Sequence, residues 1–69
     1  MQNAVSMLKL QADLIGGELR ILELAAVVCE TNNLPETARG IRLCITILRE
    51  SAILINQTAN ELEETCASK

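Results

Sequence analysis

Thr31-Asn32-Asn33-Leu34-Pro35-Glu36-Thr37 decides how this chain folds, because helical periodicity stops there and resumes beyond it. Asn tolerates left-handed backbone, and Pro suits the first turn of a helix. Glu36 follows Pro35, where a carboxylate meets the positive end of a helix dipole. The segment predicts one element ending near Glu30 and another beginning near Pro35.

On the N-terminal side, Val5, Leu8, Ala12, Ile15, Leu19, Leu22, Ala26 and Cys29 recur at alternating spacings of 3 and 4. On the C-terminal side the same spacing runs through Ile41, Ile45, Leu48, Ala52, Ile55, Ala59, Leu62 and Cys66. These are the a and d positions of a heptad, and each series predicts a long amphipathic helix. Helix 1 is expected over 3–31, the turn over 32–35 and helix 2 over 36–66, within one domain, 1–69. A short turn makes neighbouring helices antiparallel. The fold class is therefore all-α: a two-helix hairpin.

Helix 1 carries a second apolar stripe at positions c and f, roughly opposite the seam: Met7, Leu10, Leu14, Ile21, Leu24 and Val28, with Gly17 in the middle slot. Helix 2 carries a shorter patch of Leu43, Ile47, Ile53 and Leu54. A helix that is apolar on opposite faces needs cover on both. A hairpin this small has a thin core, and oligomerisation is a normal remedy. The reading is a homo-oligomeric helical bundle, joined through Met7, Leu10, Leu14, Gly17, Ile21, Leu24, Val28, Leu43, Ile47 and Leu54. A dimer, a four-helix bundle and a higher assembly are all compatible with it. Gly16-Gly17 fits either close helix packing in that oligomer or room for a ligand, and the first is favoured. Counting outward from the turn places the pair roughly opposite Arg49 and Glu50.

Composition removes whole classes of function. The 69 residues include no His, Phe, Trp or Tyr. Catalytic sets built on His are excluded, and the commonest zinc ligand is missing. No aromatic platform exists for stacking bases. An enzyme, a metal site and a cofactor are not expected. Cys29, Cys44 and Cys66 fit no metal or disulfide pattern and read as small buried residues in a reducing cytosol. The Glu61-Leu62-Glu63-Glu64 run opposes the dipole at a helix C-terminus and predicts fraying. No secretory signal or membrane span is expected, so the location is expected to be cytoplasmic.

Six basic and nine acidic residues give a net charge of −3, so polyanions are not attracted overall and no DNA partner is expected. Yet Arg39, Arg42, Thr46 and Arg49 follow one another at spacings of 3, 4 and 3, at positions b and e of helix 2. Arg forks fit phosphate oxygens, and Thr46 adds a hydroxyl. Paired stripes in a dimer would make a basic ligand-binding pocket. The plainer reading is a solvated face whose arginines, Arg49 for one, pair with Glu residues of helix 1.

Leu34-Pro35-Glu36-Thr37, Arg39, the run from Leu43 to Ala52, and Asn56 resemble a small phage helical hairpin. It is found in proteins that sequester cyclic nucleotide immune signals, the anti-CBASS and anti-Thoeris sponges. The resemblance covers residues 34–56 and implies a symmetric, non-catalytic oligomer holding a cyclic nucleotide between subunits in a bacterial host cytosol. A rival expectation is a small inhibitor or anti-activator that binds a host protein through an apolar groove around Leu43, Ile47 and Leu54. The Ala residues at several a positions are also similar to RNA-binding plasmid copy-control hairpins, a third reading that the acidic charge disfavours.

Overall fold

The computed structural model describes residues 2–67. Helix α1 spans Gln2–Thr31 and helix α2 spans Pro35–Ala67, and the two pack along each other as a hairpin. The hairpin's backbone is a rod of 56 × 14 × 10 Å, two helices wide and one helix thick.

The turn forms as its residues dictate. Asn33 is left-handed at φ 62°, and no other non-Gly residue described has positive φ. The Leu34 N–H donates to the Cys29 carbonyl at 2.9 Å and the Asn33 N–H to the Glu30 carbonyl at 3.2 Å. This pair of crossed bonds closes a helix end in the Schellman manner. The Thr31 hydroxyl and the Asn32 side-chain amide occupy two further carbonyls, those of Val27 and Val28, each at 2.8 Å. Pro35 opens α2 at a position where a missing N–H costs nothing, and the Ala38 N–H donates back to the Leu34 carbonyl. The boundaries differ from the expected ones by about a residue.

Every a and d residue named above is buried or half-buried. Ala38, at the a position before Ile41, joins the core at 2% exposure, so the seam begins one step nearer the turn than expected. Both helices put mostly small residues at a and large ones at d. Ala12 and Ala26 in α1 match Ala38, Ala52 and Ala59 in α2, while Ile15, Leu22, Leu48 and Ile55 occupy d. In an antiparallel pair a meets d, so small faces large and the helices approach closely. The core stays thin. Leu8, Leu19, Leu22, Leu48, Ile55 and Leu62 are only half-buried.

Arg49 meets Glu23, seven residues nearer the turn than Gly16. Side chains on a helix tilt toward its own N-terminus. Arg49 therefore reaches back toward the turn while Glu23 leans away from it, and the two meet between. Cys44 is exposed, which corrects its reading as a buried residue: it falls at position g, outside the seam. Cys29 and Cys66 lie half-buried on the seam, and all three thiols are free. Helix α2 runs through the acidic stretch to Ala67.

Candidate functional site

Among the described residues, ion pairs join one helix to the other. Arg42 grips Glu30 with both Nη2 (2.6 Å) and Nε (3.3 Å). Arg49 Nη2 donates to Glu23 at 3.1 Å, and Lys9 Nζ meets Glu63 at 2.5 Å. All six residues occupy position e. Successive rungs stand one heptad and two heptads apart on both helices, so this is a regular ladder along one flank of the seam. The rung between Arg49–Glu23 and Lys9–Glu63 falls at Gly16 and Asn56 and holds no charge. The bidentate grip of Arg42 pulls the Glu30 carboxyl below its ordinary value, first by hydrogen bonding and then by charge. The same hydrogen bond raises Arg42.

The arginine stripe lies where its spacing placed it, along one side of α2, but each of its members has a partner in the chain. Arg39 pairs with Glu36 at 3.2 Å, one turn away and highly exposed. The Thr46 hydroxyl donates to the Arg42 carbonyl, as helical Thr residues commonly do. Glu30 and Glu23 were missing from the candidate site read from the sequence. Their heptad positions, mirroring Arg42 and Arg49, were the signal that could have found them. The described residues enclose no pocket. They also hold no group of three or more His, Cys, Asp or Glu residues placed to bind a metal.

The second stripe of α1 is fully outward. Met7, Leu10, Leu14, Ile21, Leu24 and Val28 are between 51% and 70% exposed. On α2, Leu43, Ile47, Ile53 and Leu54 are between 54% and 63% exposed. A Cβ added at Gly16 or Gly17 would meet nothing within 4 Å, so neither glycine is required by the packing of α1 on α2. No helix described is long and apolar enough to cross a membrane. No known protein family, curated protein or solved structure matches this chain.

Proposed function

We propose that the chain is a non-catalytic binding protein that works as a homo-oligomeric helical bundle and docks a partner protein on the outer face of α2. The observation that carries this reading is the apolar patch of Leu43, Ile47, Ile53 and Leu54, more than half exposed beside a core too thin to need it. A water-exposed apolar surface along a helix, here divided by Glu50 between Ile47 and Leu54, suits an amphipathic helix of another protein. Glu36, Glu50 and Glu61 lie exposed on the same side of α2, so the fitting helix has an apolar stripe flanked by cations. The test is fluorescence anisotropy with a labelled peptide of Leu/Lys heptads. The wild-type chain binds it; Leu43→Glu with Ile47→Glu loses that binding while far-UV circular dichroism is unchanged. Absence of binding, or equal binding by the variant, overturns the reading.

A second reading is capture of a cyclic nucleotide between subunits by Arg39, Arg42, Thr46 and Arg49. It draws on the resemblance to the phage sponges and on Arg39, whose exposed pair with Glu36 is worth little and yields readily to a phosphate. Arg42 and Arg49 would have to exchange Glu30 and Glu23 for the ligand. Titration calorimetry with a panel of cyclic dinucleotides decides it. Heat that disappears in Arg39→Gln with Thr46→Val supports capture, and a silent panel ends it.

A further inference from the structure

We propose that two copies of this chain pair through the outer faces of α1, antiparallel, about a two-fold axis passing near Ile15 and Gly16. The proposal rests on the homo-oligomeric reading above and names its interface. The c and f positions of α1 form their own heptad seam, as regular as the one that faces α2. Placed antiparallel about that axis, Met7 lies over the partner's Leu24 and Leu10 over the partner's Ile21. Leu14 lies over the partner's Gly17, and symmetry repeats each layer. The missing side chain of Gly17 leaves the room that Leu14 fills. This accounts for a glycine that nothing within the hairpin requires.

Charge selects this register. Asp13 and Arg20, both at position b beside the stripe, form no ion pair or hydrogen bond among the described residues. In the proposed register Asp13 faces the partner's Arg20, and Arg20 faces the partner's Asp13. A slip of one heptad in one direction sets Arg20 against the partner's Arg20. A slip in the other direction sets Asp13 against the partner's Asp13. A parallel pairing brings Asp13 to the partner's Glu18. Flanking charges of this kind fix the register and orientation of helix pairs by penalising the alternatives.

Sedimentation equilibrium at low salt tests the arrangement, because exposed charge pairs are screened at high ionic strength. The wild-type chain is expected to dimerise. Asp13→Arg and Arg20→Asp each set like charges together twice and raise the dimer dissociation constant about tenfold. The double variant D13R/R20D restores it to within about twofold, and an equimolar mixture of the two single variants forms the heterodimer. Gly17→Leu weakens the dimer while raising helicity at the monomer limit. A monomer at every concentration overturns this interface together with the homo-oligomeric reading. A dimer indifferent to D13R, or unrescued by the double swap, overturns this interface and leaves that reading standing.

Discussion

Asn33 is the residue on which the hairpin turns. A left-handed conformation costs an ordinary L-residue about 1–2 kcal/mol, and Asn lowers that cost by bonding locally. Asn33→Ala is therefore expected to destabilise the hairpin by about 1 kcal/mol in urea unfolding at fixed protein concentration. Asn33→Gly is expected to be neutral or slightly stabilising, since Gly reaches positive φ freely. Glu30 offers a second test. Its folded-state pKa is depressed by Arg42, so its contribution is present above the unfolded carboxylate value and is lost as pH falls through the lower folded value. Unfolding midpoints should decline on acidification below the usual carboxylate range. Glu30→Gln should flatten that decline, and a pH-stability curve as steep as wild type would count against the pair.

At the scale of the element, α1 remains a single helix across Gly16-Gly17, although each glycine costs roughly 1 kcal/mol relative to Ala. Because nothing lies within 4 Å of a Cβ at Gly16, Gly16→Ala should recover about 1 kcal/mol and raise the thermal midpoint. A drop would mean that another chain presses on that spot. The charged ladder does a different job. Its side chains are about half exposed, so solvent screens each pair and none contributes much stability. What it supplies is register. Glu23→Arg alone sets like charges beside Arg49 and should lower the midpoint. Adding Arg49→Glu should restore it, a coupling that a double-mutant cycle reads directly.

For the whole molecule, the decisive ratio is apolar surface outside the seam to apolar surface within it. Among the described residues the buried core is mostly alanine, with Val5, Ile15 and Ile45 as its larger side chains. The large outward side chains outnumber them. On the proposed self-association such a rod would gain stability from its partner copy, and the thermal midpoint should then rise with protein concentration. A midpoint constant from micromolar to millimolar chain would identify a self-sufficient monomer, and would remove the reason for the second stripe.

The hairpin was legible because its determinants are local. Heptad spacing marks the seam, and Asn33-Leu34-Pro35 marks the reversal, and both act through backbone conformation and period alone. The arginines of α2 were legible as a stripe for the same reason. That arginines such as Arg49 pair with Glu residues of α1 was legible too; which Glu each one takes was not, because that depends on how far side chains lean along each axis, which no count from the turn contains. By itself, then, the sequence determined two helices, their common seam and an outward apolar face. Only the tertiary structure decided that Arg42 and Arg49 spend their charge on Glu30 and Glu23, that Gly16 and Gly17 stand clear of α2, and that Asp13 and Arg20 find no ion-pair partner among the described residues. Each of these is a relation between residues distant in the chain, fixed when the seam packs.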